Sequence, residues 1–190
     1  MSFRSLEDIL KLSREQNKPF WRVVLEDDME ERLVSEEESL EMMRRLYSAM
    51  KDADAAYDDR IKSASGLVGG DGAKMECALR EGKVLGGAYI GKVISKALKM
   101  GESNACMRKI VAAPTAGSCG VIPAVLISYE EQYGASLQKM VEAMYVASGI
   151  GEVIAARAFL SGAAGGCQAE IGSASAMAAG ALAYLNGGDE

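Results

Sequence analysis

The 190-residue sequence predicts an all-α fold, a single helical domain with a long amphipathic helix in its N-terminal third. Three observations predict it. Apolar residues recur at steps of three and four through most of the chain. Strand-like alternation never persists for more than a few residues. The second half is rich in Ala, Gly, Ser and Met, the composition of closely packed helices and their turns. Hydrophobic residues make up 49% of the chain, enough to bury a substantial core.

Leu6, Ile9, Leu10 and Leu12 give a first short helix, interrupted at Pro19, Phe20 and Trp21, which mark a turn. From 28 to 61, Leu40, Met43, Tyr47, Met50, Tyr57 and Ile61 fall on one seam with Asp54 in its polar slot, which reads as one long helix packed on one side. This N-terminal helical segment, 1–62, precedes a helical core, 63–190. The stretch SGLVGGDGAKM opens that core as a loop, because its glycines permit positive φ and oppose regular structure. A helix over 86–99 follows, with Gly101 as its stop. The connection SNACMRKIVAAPTAGSCG, with IVAA briefly extended, leads to a helix over 119–133 that stops at Gly134.

From Ser136 onward Leu137, Met140, Val141, Met144, Tyr145, Ile154, Ala158 and Phe159 repeat at helical intervals. Gly149 and Gly151 interrupt that run. A helical glycine costs about 1 kcal/mol relative to alanine, so the expectation is that another backbone or a cofactor comes very near. The stretch SGAAGGCQAEIG is expected as a turn before the final helix GSASAMAAGALAYL.

The formal charge is −6, and 13 acidic against 6 basic residues between Glu26 and Lys62 account for more than all of it. Such a field repels phosphate backbones and anionic lipid surfaces, so neither nucleic acid nor membrane is expected as a partner. No stretch approaches the roughly 18 unbroken apolar residues of a membrane span, and the N-terminus is a charged amphipathic segment, so the expected location is the cytoplasm. The four cysteines, Cys77, Cys106, Cys119 and Cys167, show no regular framework, and three of the four fit the role of small buried hydrophobes. There is no histidine, which excludes an imidazole base, a Ser-His relay and a His-ligated metal.

Three segments could carry chemistry. Thr115, Ala116, Gly117, Ser118 and Gly120 lie just before a helix start, where free N–H groups and the helix dipole welcome a carboxylate or phosphate and glycines keep side chains away. The ordinary alternative is a tight turn with Thr115 or Ser118 as cap. Cys167 sits among glycines beside Gln168 and Glu170, where a thiol has room to reach a metal; a structural cysteine with Glu170 complementing the helix dipole is the alternative. The loop around Asp71 lacks the G-K-[ST] ending of a phosphate loop, and Asp71 reads as a general base, a polar anchor or a turn residue.

Taken together, SGLVGGDGAKM, KIVAAPTAGSCGVIPAVL and GGCQAEIGSASAMAAG, in that order, resemble the α subunit of the iron–sulfur-dependent L-serine dehydratases, or L-serine ammonia-lyases, over essentially the whole chain. The resemblance implies a lyase of amino-acid degradation that works without pyridoxal phosphate. A [4Fe–4S] cluster would act as Lewis acid on the substrate hydroxyl while a base removes the Cα proton. It implies Cys167 as one cluster ligand, the PTAGS backbone around Thr115–Ser118 as holder of the L-serine carboxylate, and Gln168, Glu170 and Asp71 as supporting groups.

A β subunit or self-assembly is implied, and no catalytic base is assigned. The family's other two cluster cysteines belong to a Cys-Asp-Pro stretch beyond Glu190. The chain is therefore expected to be shortened at its C-terminus, without a complete cluster and inactive alone. The alternative is a cluster-free helical interaction module that keeps the family scaffold.

Overall fold

Ser5 sets the first helix. In the computed structural model, which describes residues 3–188, its hydroxyl accepts the Asp8 N–H at 3.2 Å while the Asp8 carboxylate accepts the Ser5 N–H at 2.9 Å, a reciprocal cap for α1, Leu6–Gln16. Asn17 ends α1 in the left-handed conformation, and Pro19 precedes α2, Phe20–Arg32.

The long helix expected over 28–61 is two pieces. Leu33 turns left-handed at φ 54°, and a second reciprocal cap between Ser35 and Glu38 starts α3, Glu36–Ala55. The local capping chemistry overrides the continuous seam. Because α3 stops at Ala55, the last two seam positions, Tyr57 and Ile61, lie outside any helix.

Four more boundaries differ from expectation. The helix expected over 86–99, α5 (Gly87–Ala105), runs straight through Gly101, whose missing side chain faces open space. Residues 110–113 form no strand. The α7 helix, Leu137–Arg157, ends before Phe159, which is 71% exposed rather than core. Residues 162–170, expected as a turn, belong to α8, Gly162–Leu185, broken only at Gly166 with φ 79° and ψ 167°. The remaining elements are α4, Asp71–Arg80, and α6, Val121–Tyr133, the latter stopped as expected by left-handed Gly134. The described residues contain no strand, so the fold is all-α, and no helix among them is long and apolar enough to cross a membrane.

The chain forms two compact units, with α3 passing from one to the other. The first comprises residues up to Tyr47 and from Ser136 onward; α7 lies against α2 and α8, and α1 against α2. Its core gathers Ile9, Val23, Val24, Leu25, Val141, Tyr145 and Val153. The two mid-helix glycines of α7 prove to make room for side chains. A Cβ on Gly149 would sit 2.5 Å from Val24 Cγ2, and one on Gly151 would sit 2.8 Å from the Met177 sulfur. Inside this core Ser39 Oγ donates to Asp28 Oδ2 at 2.5 Å and stands 2.7 Å from Tyr145 Oη, so the two buried hydroxyls satisfy each other and the carboxylate.

The second unit, Ser48–Ala135, packs α5 between α4 and α6. Met100, Ile122, Ala124, Leu126 and Ile127 are buried in it. Close helix approach again needs missing side chains: a Cβ on Gly72 would meet Lys99 Cγ at 2.6 Å, and one on Gly120 would meet the Ala97 carbonyl oxygen at 2.8 Å.

Candidate functional site

The segment 115–120 is a locked turn. Thr115 Oγ1 accepts the Ser118 N–H at 3.3 Å, the two hydroxyls are 2.9 Å apart, and the Ser118 carbonyl accepts the Val121 N–H at 3.0 Å to lead into α6. Ser118 is 1% exposed, so its hydroxyl belongs to the turn rather than to an open surface. Neither hydroxyl caps α6; the N-cap is Gly120, which makes no side-chain bond and lies against α5. Ala116 and Gly117 form the exposed tip. The Ala116 carbonyl is tied down from outside the turn by Asn104 Nδ2 at 3.0 Å. What the five residues offer a ligand is therefore the backbone at Ala116 and Gly117, held rigid by Thr115 and Ser118.

The glycine-rich loop before α4 is organised differently. Gly69 has φ 135° and Gly70 φ 87°, and a Cβ on Gly69 would stand 2.4 Å from the Ile61 carbonyl oxygen, so only glycine fits there. Asp71 opens α4 with its carboxylate at the surface, 2.8 Å from Lys74 Nζ, a hydrogen bond that holds its carboxyl below the usual range. Its backbone N–H points inward to Glu102. Sequence reading missed Glu102. Its signal is the single acidic residue of a helical run whose other charges are Lys92, Lys96 and Lys99, visible only once the loop is folded against it.

Cys167 is the first residue after the Gly166 break and opens the helical run 167–185 with its side chain exposed. Gln168 is exposed beside it, and Glu170 folds back so that a Cβ on Gly162 would lie 2.7 Å from its carboxylate oxygen. Gly165 is needed where the chain doubles over Phe159, whose carbonyl oxygen is 3.0 Å from the position of a Cβ.

The remaining thiols correct the expectation that three of four are buried. Cys119 alone is buried, donating to the Met100 carbonyl at 3.9 Å, while Cys106 is half-buried and Cys77 exposed. Cys167 is the single cysteine of its unit. Among the described residues, the group of three metal-ligating side chains with ligand atoms within 4.8 Å of one another is Asp27, Glu31 and Glu152, none of them a thiol. A [4Fe–4S] cluster needs three or four thiolates, so the residues of this chain do not by themselves fit one.

That carboxylate group, also missed in the sequence, joins α2 to α7. Burial pushes the Glu152 carboxyl up, and Asp27 beside it adds to the shift by charge and hydrogen bond. Glu152 Oε1 is buried with no hydrogen-bond partner.

Comparison with known proteins identifies the family. A family model described as Serine dehydratase alpha chain matches residues 15–190. The chain is 37% identical over 186 residues to a Bacillus subtilis protein named as a probable L-serine dehydratase alpha chain, covering 98% of this chain and 62% of that one. It is 35% identical to the L-serine dehydratase alpha chain of Peptoniphilus asaccharolyticus, covering 95% and 62%, and 32% identical to the L-serine dehydratase of Streptomyces coelicolor, covering 98% and 41%. The chain thus spans about three fifths of the length of the two alpha chains. An all-α chain that carries the glycine-rich loop, the locked turn and the glycine-flanked cysteine in this order, matched along nearly its whole length, belongs to the serine dehydratase alpha chain family.

Proposed function

We propose that this chain is the α-chain portion of an L-serine dehydratase, a lyase that eliminates water across Cα and Cβ of L-serine. The aminoacrylate formed then hydrolyses to pyruvate and ammonia. The observation that carries the reading is the match along nearly the whole chain to proteins of that name. In this reading the 115–118 turn receives the substrate carboxylate through the backbone at Ala116 and Gly117, and the Thr115–Ser118 lock keeps that backbone in place without reorganisation on binding.

Cys167 supplies one thiolate to an iron–sulfur cluster whose other ligands come from residues outside these 190, with Gln168 and Glu170 beside it. No pyridoxal phosphate takes part. A β chain completes the enzyme, in keeping with the alpha-chain names of the relatives, and the assembly works in the cytoplasm.

The thiol distribution favours one second reading, a cluster-free helical module that retains the scaffold for assembly. Iron and acid-labile sulfide after anaerobic reconstitution separate the two. The dehydratase reading expects a form extended to the length of the alpha-chain relatives to hold about four irons per chain and to release pyruvate from L-serine. An extended form that holds no iron and releases no pyruvate leaves the assembly module.

A further inference from the structure

The glycine-rich loop that invites comparison with a phosphate loop does hold an anion, and the anion is the protein's own. Glu102, 6% exposed near the end of α5, accepts the backbone N–H of Asp71 at 2.6 Å, that of Gly72 at 3.2 Å and the Tyr57 hydroxyl at 2.5 Å. Asp71 and Gly72 are the first two residues of α4, whose N–H groups have no carbonyl partner within the helix. A buried carboxylate there gains both the hydrogen bonds and the positive end of the helix dipole. The Tyr57 phenol is pushed up to about 12, first by burial and then by the Glu102 carboxylate, and so remains a donor at neutral pH. Ser95 Oγ, from the same helix, donates to the Gly72 carbonyl at 3.1 Å.

The other side of α5 holds the second loop. Asn104 Nδ2 donates to the Ala116 carbonyl, Cys119 Sγ reaches the Met100 carbonyl, and Gly120 lies on Ala97. The C-terminal half of α5 thus carries both the loop before α4 and the 115–120 turn.

We propose that Glu102 is a positioning residue: its carboxylate is a built-in anion that closes the α4 N-terminus, while Asn104 on the same helix end sets the 115–118 turn, so that a substrate carboxylate is directed to that turn and not to the glycine-rich loop. The last clause rests on the dehydratase reading; the first does not.

Glu102→Ala leaves two N–H donors and a phenol facing a carboxylate-sized gap. Its Tm falls by about 5–10 °C. Acetate recovers part of that loss in a concentration-dependent way, whereas chloride or acetamide at the same concentration does not, and acetate leaves the wild-type Tm unmoved. A side chain that merely fills space would show no such rescue. Equal effects of acetate on variant and wild type overturn the proposal.

Should Glu102→Ala fail to fold, Glu102→Gln decides: the Asp71 and Gly72 amide protons shift upfield and exchange about tenfold faster in NMR spectra. Unchanged resonances overturn the assignment. With L-serine as probe, amide shifts are expected at Ala116 and Gly117 and none at Gly69–Gly72, and Asn104→Ala weakens serine affinity about tenfold. A wild-type chain whose Ala116 and Gly117 ignore L-serine overturns the carboxylate-turn reading and leaves the acetate result standing, which tells the two failures apart.

Discussion

Lys96 reaches Asp54 at 2.5 Å from within α5, and its ammonium meets Glu131 Oε1 at 2.9 Å. The Lys96 and Asp54 side chains are 11% and 12% exposed, and Asp54 Oδ1 is buried with no hydrogen-bond partner. The three residues tie α3, α5 and α6 together in the second unit. Burial alone would push the Lys96 ammonium down, but its hydrogen bonds to Asp54 and Glu131 more than offset that and leave it raised.

Removing one partner strands the other charge, so Lys96→Met is expected to lose about 3–5 kcal/mol in urea unfolding, and Lys96→Met with Asp54→Leu to recover much of it. Because the folded value is raised above 10.5, the contribution is complete below that pH and disappears as pH rises through the folded value. A single variant within about 1 kcal/mol of wild type would show that the pair holds nothing together.

Two glycines make opposite predictions. Gly101 lies inside α5 with open space where a side chain would go, so Gly101→Ala should stabilise by about 0.5–1 kcal/mol through helix propensity. Gly120 would press a Cβ to 2.8 Å from the Ala97 carbonyl oxygen, a backbone atom that cannot step aside. Gly120→Ala should therefore cost about 2 kcal/mol and disturb the 115–118 turn. Thermal melts of the two variants in parallel check both signs, and a common sign would contradict the packing described for α5 and α6.

Glu152→Gln is expected to stabilise the protein at neutral pH by about 1–2 kcal/mol, since it relieves a buried carboxylate beside Asp27 and gives Asp27 an N–H donor. A carboxyl raised in the folded state contributes fully below 4.5 and loses its contribution as pH rises through the folded value. The wild-type minus variant Tm difference should therefore grow more negative from pH 4 to pH 7. A difference flat with pH would remove Glu152 as its source.

Gly117→Val tests the turn. In an extended, active form the variant should lose serine binding while far-ultraviolet circular dichroism stays that of the parent, because the change lies at the exposed tip. Cys167→Ser in the same form should abolish the visible iron–sulfur absorption. Serine affinity equal to the parent's would take the tip out of the site, and retained colour would move the ligand role to another thiol.

Helical identity was legible in the sequence because it depends on local periodicity. The spacing of Leu6, Ile9 and Leu10 and of Met140, Val141 and Met144, with Gly134 as a stop, is written in short windows. The loop before Asp71 and the turn at 115–120 were legible for the same reason, since glycine and proline act on their own neighbours, whereas the expected turn around Cys167 is helix. Chain breaks that depend on competition between local signals were not. The seam from Leu40 to Ile61 is continuous, and a Ser35–Glu38 cap together with the left-handed Leu33 decides where the helix begins.

Tertiary structure alone decided what each segment faces. Gly149 and Gly151 leave room for Val24 and Met177, Cys119 is buried while Cys77 and Cys167 are not, and a glutamate thirty residues away fills the N-terminus of α4. The physical reason is common to all three: a glycine, a thiol or a free N–H fixes what can approach, and only long-range packing fixes what does.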